Sequence, residues 1–372
     1  MHQRLQLTTI PTGFHPLFPE NDMAMKYNQL GRTDIEVSAI CLGSMTWGTQ
    51  NTEQEAHDQI DLAMEHGVNL IDTAEMYPTT PLGAETQGRT EEYIGTWLKK
   101  GGHSKDMLIA TKVTGVGNQS YIHDGMKICT EKIRLSLESS LKRLQTDCID
   151  LYQLHWPNRG SYHFRQNFTY DPTKQNTGET FEHIEEVLTA LQGYVDQGKI
   201  RTIGLSNESS WGTMQFLRIA SEKNLPRVVS VQNEYNLLNR LFDLDLAELS
   251  HHEQVGLLAF SPLAAGLLTG KYRDGQVPAG SRRTLNDTLN GRYCEHSKPA
   301  LDAYIGIADK HNIPPSQLAL AFCIARPFMT SAIVGATSIE HLTVNLGAAD
   351  LELNEQLSSD IADVYRRYPV PI

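Results

Sequence analysis

Apolar and polar positions follow one repeating order along this chain: a short continuous apolar run, a turn, then apolar residues at helical spacing. Ser38–Leu42 is the first such run and ends at Gly43. Thr52-x-x-Glu55 has the form of a capping box and opens a helix with Ala56, Ile60, Ala63 and Met64 on one face, stopped by Gly67. Val68–Ile71 predicts the second strand, which closes on Asp72 and is followed by a helix over Thr90–Lys100. Strand Met107–Thr111 ends at Lys112, and strand Cys148–Leu154 ends at His155; Ile133, Leu137, Leu141 and Leu144 mark the helix between them. The helix Phe181–Gln197 turns Ile184, Val187, Leu188 and Leu191 inward, and strand Ile200–Leu205 ends at Ser206. A helix from Trp211 to Lys223, closed by Pro226, leads to strand Val228–Val231 and Gln232. Helix Phe242–His252 leads to strand Val255–Ala259 and Phe260. Two helices, Pro299–His311 and Pro315–Ala325, precede strand Ser331–Val334, which ends at Gly335. A second capping box, Thr337-x-x-Glu340, opens the helix that completes the repeat, and Asn354–Arg367 is a final helix.

That pattern contains eight strand-then-helix units whose strands are continuously apolar, as in a parallel sheet covered on both faces. Eight units predict an α/β fold, a closed (β/α)8 TIM barrel in one domain over residues 25–372. An open doubly wound sheet is the rival, but Gly43-Ser44-Met45-Thr46-Trp47-Gly48 after the first strand is not the Gly-rich phosphate turn of that fold. Ahead of the barrel, Lys26–Ile40 reads as a β-hairpin turning at Leu30-Gly31-Arg32-Thr33-Asp34. Residues 1–24, with Pro11, Gly13, Pro16 and Pro19 and no periodicity, read as a disordered extension without a functional role; Met25 looks like a second start. Two connections are long, Trp156–Thr180 and Ser261–Ser297, and both emerge at the C-terminal face, where barrels of this kind place their sites.

Composition narrows the partners. The chain has 372 residues and a net charge of −12, which argues against nucleic acid or an anionic membrane as the main partner. A local cluster of donors can still bind a phosphorylated cofactor. The five cysteines are scattered and form no C-x-x-C, which suits a reduced, cytoplasmic protein. No apolar run approaches the roughly 20 residues that span a bilayer, and the N-terminus has no signal-peptide core. Association into a homo-oligomer stays open.

In a closed barrel the strand ends share one rim. Asp72, Tyr77, Lys112 and His155 can therefore converge, although they are distant in sequence. Each has an ordinary reading: Asp72 as a turn former or cap, Lys112 and Tyr77 as surface residues, His155 as a packed histidine. Their joint presence on strands two to four favours chemistry. A phenol titrates near ~10 in water, a nearby ammonium lowers that value, and a carboxylate fixes the ammonium. An imidazole beside them can donate to a substrate oxygen, as carbonyl reduction requires. The histidines lack metal-ligand spacing, so no metal is expected. On the later strands, Ser206, Asn207 and Gln232 suit an amide, and Phe260 offers a flat face for a planar ring. The connection Ser261-Pro262-Leu263-Ala264-Ala265-Gly266-Leu267-Leu268-Thr269-Gly270-Lys271 could run along a diphosphate, and the helix opened by Thr337 presents N–H donors to a phosphate. A nicotinamide dinucleotide matches these features together.

The sequence from about Lys26 to Arg367 resembles the aldo-keto reductases, NAD(P)H-dependent (β/α)8-barrel enzymes. Asp72-Thr73-Ala74-x-x-Tyr77, Ile109-Ala110-Thr111-Lys112 and Asp150-Leu151-Tyr152-Gln153-Leu154-His155 are similar to the family's catalytic segments. Ile203-Gly204-Leu205-Ser206-Asn207, Val231-Gln232-Asn233-Glu234-Tyr235-Asn236 and Phe260-Ser261-Pro262-Leu263 are similar to its cofactor strands. The resemblance implies hydride transfer from NADPH, or NADH, to an aldehyde or ketone. Tyr77 would be the proton donor, its pKa lowered by Lys112 and Asp72, with His155 orienting the small-molecule carbonyl. Ser206, Asn207 and Gln232 would bind the carboxamide, and Phe260 would stack on the nicotinamide. Further cofactor contacts are implied at Gly43, Met45, Ser261, Pro262, Leu263, Gly266, Leu268, Lys271, Arg282, Gly335, Thr337, His341 and Asn345. At the helix that grips the adenosine phosphate, Gly335 and His341 replace a Lys and an Arg of some members, while Asn345 is retained; an NADP preference then rests on Arg282, Arg283 and Lys271. Pro78–Arg89 is longer than the family's usual turn and reshapes the substrate pocket. A more distant likeness to the β subunits of voltage-gated potassium channels gives the alternative, an NADP(H)-binding sensor that regulates a partner protein.

Overall fold

The computed structural model describes residues 25–101, 106–117 and 119–372; the expected extension over residues 1–24 lies outside them. Two short strands come first, β1 (Tyr27–Gln29) and β2 (Glu36–Ser38), paired antiparallel. The turn between them needs Gly31. Its φ is +60°, and a Cβ there would lie 2.6 Å from the Val229 carbonyl oxygen. The hairpin is thus pressed against the barrel, as a plug across its N-terminal end.

Strand and helix then alternate. The order is β3 (Ile40–Gly43), α1 (Glu53–Glu65), β4 (Leu70–Asp72), α2 (Arg89–Lys99), β5 (Leu108–Val113), α3 (Thr130–Leu144) and β6 (Ile149–Leu154). It continues with α4 (Thr177–Asp196), β7 (Ile200–Ser206), α5 (Ser210–Lys223), β8 (Val228–Glu234), α6 (Asp245–Glu253) and β9 (Gly256–Phe260). The last elements are α7 (Ser297–Lys310), α8 (Pro315–Ile324), β10 (Met329–Val334), α9 (Ile339–Leu346) and α10 (Glu355–Arg367). Strands β3 to β10 pair parallel in sequence order, and β10 returns to β3 through Ala332–Ile40, Ile333–Cys41 and Val334–Leu42. The expected (β/α)8 barrel with its N-terminal hairpin is therefore present.

Two apolar layers hold it. Inside the barrel, Cys41, Leu70, Ala110, Leu151, Val229, Leu258 and Ile333 meet Leu30, Ile35 and Val37 of the hairpin. Outside, helix residues such as Ile184 and Leu188 cover the opposite strand faces, which carry Ile71, Ile109 and Tyr152. Alternation along each strand places the next inward residue after the apolar layer closer to the C-terminal mouth: Asp72 after Leu70, Lys112 after Ala110, Gln153 after Leu151. In β8 the alternation is interrupted. Ile203 pairs with Val228 but Leu205 with Val231, so three residues of β8 face two of β7. This bulge lets both Val229 and Gln232 point inward.

Several boundaries differ from the sequence reading. Strand β5 continues through Lys112 to Val113, and β8 through Gln232 to Glu234, so both polar residues are strand members rather than strand ends. Helix α6 starts at Asp245, after a separate 3₁₀ turn at Leu241–Asp243. The Thr52–Glu55 capping box is present. The second one is not: Ser338, one residue later, caps α9 by accepting from the His341 N–H, and Thr337 offers its carbonyl to Asn51 instead.

Candidate active site

Closure of the barrel brings Asp72, Lys112, Tyr77 and His155 to one place. Lys112 is fully buried, and its Nζ donates to Asp72 Oδ2 at 2.7 Å and to the Thr73 carbonyl at 2.7 Å. The Tyr77 hydroxyl lies 3.5 Å from the same Nζ. Tyr77 is fixed through its backbone: its N–H donates to the Ala74 carbonyl and its carbonyl accepts from Gly88 N–H, which closes the 78–88 excursion onto the tyrosine. The His155 ring stands edge-on to the Tyr77 ring with centroids 6.1 Å apart. Trp156 supports it from the other side at 4.8 Å, and Trp156 Nε1 donates to the Val116 carbonyl.

The electrostatics correct one expectation. Burial drives the Tyr77 phenol above its ordinary value; Lys112 pulls it down, Asp72 pushes it up, and burial prevails. Asp72 acts instead through the lysine. Burial alone would lower the Lys112 ammonium, but Asp72 and Tyr77 reverse this and hold it above its ordinary value. His155 is driven well below the usual range, first by burial and then by the Lys112 charge. At neutral pH the site therefore holds a charged Lys112 against Asp72, a protonated phenol and a neutral imidazole.

Asp72 has further partners that sequence reasoning missed. Gln153 Nε2 donates to its Oδ1 at 3.4 Å, and Gln232 Nε2 to the same atom at 2.8 Å. Gln232 was expected at a carboxamide, yet its amide nitrogen is given to Asp72 and, at 3.2 Å, to Gln153 Oε1. The signal for Gln153 was available: a polar residue two positions before His155, on the inward face. Glu75 was missed as well. Its buried carboxylate accepts from Thr114 N–H at 2.6 Å and pairs with His123 Nε2 at 3.1 Å, tying the Asp72–Tyr77 segment to the connection after β5.

The other half of the rim carries neutral groups. Ser206 Oγ donates to the Gln232 carbonyl at 2.8 Å. Asn207 adopts φ +53°, and its Nδ2 donates to the His155 carbonyl and to Ser206 Oγ. Its Oδ1 is buried and accepts from no described residue. Phe260, half-buried, closes β9, and Ser261, Pro262 and Leu263 follow directly. Ala264, Ala265 and Gly266 then run through the left-handed region, with φ of +48°, +57° and +95°. For the two alanines this costs on the order of 1–2 kcal/mol each. Leu268 is buried, whereas Lys271 is exposed and lies along Gly266, where a Cβ would come within 3.2 Å of its Nζ. Arg282 is half-buried, paired with no described carboxylate and within the field of Tyr77; burial and Arg292 both work against its charge. Arg283 differs: it is buried, pairs with Asp287 and stacks on Tyr293, so it is not free for a cofactor phosphate.

Gly43 and Gly335 meet at the β3–β10 seam, where a Cβ on Gly335 would lie 2.8 Å from the Gly43 carbonyl oxygen. Met45, just beyond, is half-buried. Thr337, just before α9, and His341 on it are exposed, and Asn345 is buried. Glu340 occupies the first turn, its carboxylate held below the usual range by its own backbone N–H and by Ser338. The two long connections are tied together over the mouth. Arg292 binds Glu234, the last residue of β8, through Nε at 2.6 Å and Nη2 at 2.9 Å, and Arg165 reaches the same carboxylate at 2.8 Å.

The structure is thus a closed parallel barrel with an Asp–Lys–Tyr–His cluster at its C-terminal mouth. The chain belongs to the aldo/keto reductase family, whose model matches residues 39–366, and it is an NAD(P)H-dependent oxidoreductase of that family. It is 44% identical to Protein tas of Escherichia coli K12, over 93% of this chain and 99% of that protein. It is 30% identical to the uncharacterized oxidoreductase YrpG of Bacillus subtilis, over 92% of this chain and 96% of the other. An aldo-keto reductase of Babesia bovis is 34% identical over 72% of this chain and 98% of its own length.

Proposed function

We propose that the protein reduces an aldehyde or ketone with NADPH, and that Tyr77 donates the proton to the carbonyl oxygen. The observation that carries this reading is the buried ion pair of Lys112 and Asp72 set 3.5 Å from the Tyr77 hydroxyl, with His155 across from it. Reduction consumes a proton at oxygen. A phenol kept protonated by burial can supply it, and Lys112 stabilises the phenolate left behind. Neutral His155 can donate a hydrogen bond to the substrate oxygen without placing a second positive charge beside Lys112. Asp72, held by Lys112, Gln232 and Gln153, orients the lysine and takes no proton itself.

The bound reduced nicotinamide supplies the hydride. The residues of the second half fit such a group: the unpartnered Asn207 Oδ1 can accept from a carboxamide, and Phe260 offers a ring face at the end of β9. We favour NADPH over NADH because Lys271 and Arg282, two cations of the 261–297 connection, pair with no described carboxylate. Glu340 at the start of α9 makes that helix end a poorer phosphate site than the sequence suggested.

The test is single-turnover oxidation of bound NADPH, and separately NADH, by a panel of aldehydes and ketones. Wild-type protein should oxidise NADPH with at least one of them. Tyr77→Phe should slow that step by roughly 10²–10⁴-fold while cofactor affinity stays within about two-fold. Turnover at the wild-type rate in Tyr77→Phe would sink the assignment.

A further inference from the structure

A cleft of about 300 Å³ lies on the outer side of the barrel wall, behind the ends of β6 and β7. That volume is within the range of small-molecule sites. Its floor is apolar, formed by Ile128, Leu154, Ile184, Leu205 and Phe216. Leu154 and Leu205 face the helix layer, while their neighbours Gln153 and Ser206 serve the mouth. The two strands therefore stand between this cleft and the Asp72–Tyr77 cluster, while Trp156 and Ser206 at their ends border both sides.

The polar groups of the wall favour a negative charge. Both carboxylates in it are already engaged: Glu208 by Arg159, and Glu179 by the side chain of Asn176, which caps α4. Lys127 is exposed and forms no ion pair with a described residue; Lys174 has only a loose contact of 3.7 Å with Asp171. Arg159 is half-buried; its terminal nitrogens are bound to Glu208, and its Nε is enclosed and donates to no described acceptor. The wall thus carries three cations, Lys127, Arg159 and Lys174, against two carboxylates, Glu179 and Glu208. An apolar floor under a rim with spare positive charge suits a molecule with an apolar body and a single anionic head.

We propose that this cleft is a second small-molecule site, separate from the barrel mouth, that takes an amphipathic aryl or alkyl carboxylate. The body lies on Ile184 and Phe216, and the carboxylate meets Lys127. The experiment is isothermal titration of the full chain, with NADPH present, using 4-phenylbutyrate as the probe. Saturable one-site binding is expected. Lys127→Glu, a change on the surface, should weaken it about five-fold or more. Ile184→Trp, which fills the floor, should abolish it. Absence of saturable heat, or an affinity unchanged in both variants, overturns the proposal. If Ile184→Trp does not fold, Lys127→Glu decides alone, an unchanged affinity counting against the site. The titration needs no turnover, so failure of the proposed reductase chemistry would not be mistaken for failure of this site.

Discussion

The two halves of the barrel rim are built on opposite terms. From β4 to β6 the inward groups are ionisable, buried and mostly satisfied by one another: Lys112 by Asp72 and Thr73, Asp72 by Lys112 and two glutamine amides. From β7 to β8 the inward groups Ser206, Asn207 and Gln232 are neutral, and the buried Asn207 Oδ1 accepts from no described residue; in the connection after β9 the cations Lys271 and Arg282 pair with no described carboxylate. Apart from His155, the first half is satisfied without any ligand, which preorganises the groups of the proposed proton transfer. The second half is incomplete in the places where, under the proposed function, the dinucleotide binds. Gln232 joins them, since it sits on β8 but gives its amide nitrogen to Asp72. His155 is the exception in the first half, for its Nδ1 is buried with no partner among the described residues.

The largest expected effect comes from breaking the satisfied half. Lys112→Met keeps the shape but strands the Asp72 carboxylate in a site where the lysine is 0% exposed. Removing one partner of such a pair costs about 3–5 kcal/mol, to be read from urea unfolding at neutral pH. Adding Asp72→Leu should recover only part of this, because Gln153 and Gln232 then lose their shared acceptor. A single variant as stable as wild type would show that the first half is not the self-contained unit described above.

The second half should respond in the other currency, affinity. Asn207 sits at φ +53°, so glycine fits the backbone there without strain. Asn207→Gly removes two hydrogen bonds from Nδ2 but also removes the buried, unpartnered Oδ1. These effects oppose one another, so unfolding free energy should stay within about 1 kcal/mol of wild type. NADPH should bind roughly ten-fold more weakly, as measured by fluorescence titration. A loss of stability with unchanged NADPH affinity would make Asn207 a structural residue and remove one ground for the contrast.

How much of this was legible in the sequence follows the same division. The strand ends Asp72, Lys112 and His155 could be read because each closes an apolar run, and barrel closure makes such ends neighbours. Gln153 was hidden inside its run, although strand alternation puts it on the same face as His155. The inward turn of Gln232 depends on a bulge that no local pattern announces. Arg165 and Arg292 lie in connections without periodicity, so their meeting on Glu234 could not be foreseen. The cap of α9 was misplaced by one residue because Thr337 and Ser338 are both competent caps, and only the chain's path decides between them. The sign of the Tyr77 shift was missed because burial, which outweighs the lysine, is a property of the folded mouth.

The smallest expected effect tests the exception. Burial and the Lys112 charge hold the folded His155 pKa well below 6.5, the value expected when the chain is unfolded. Above about pH 6.5 the residue is neutral in both states and adds nothing to the pH dependence. As pH falls below that value the unfolded chain takes up a proton that the native site refuses, so stability declines, by at most about 1.4 kcal/mol per pH unit for this one group. The decline stops only when the folded imidazole itself titrates. His163 and His183 are also held low by burial, so they contribute slopes of the same sign and will remain in any variant. His155→Gln should therefore flatten the stability profile below pH 6.5 in part, while leaving the profile above it unchanged. An identical acid slope in the variant would mean that His155 already accepts its proton in the native protein. The first half of the rim would then carry a second positive charge beside Lys112, and the neutral donor assigned to His155 would have to be abandoned.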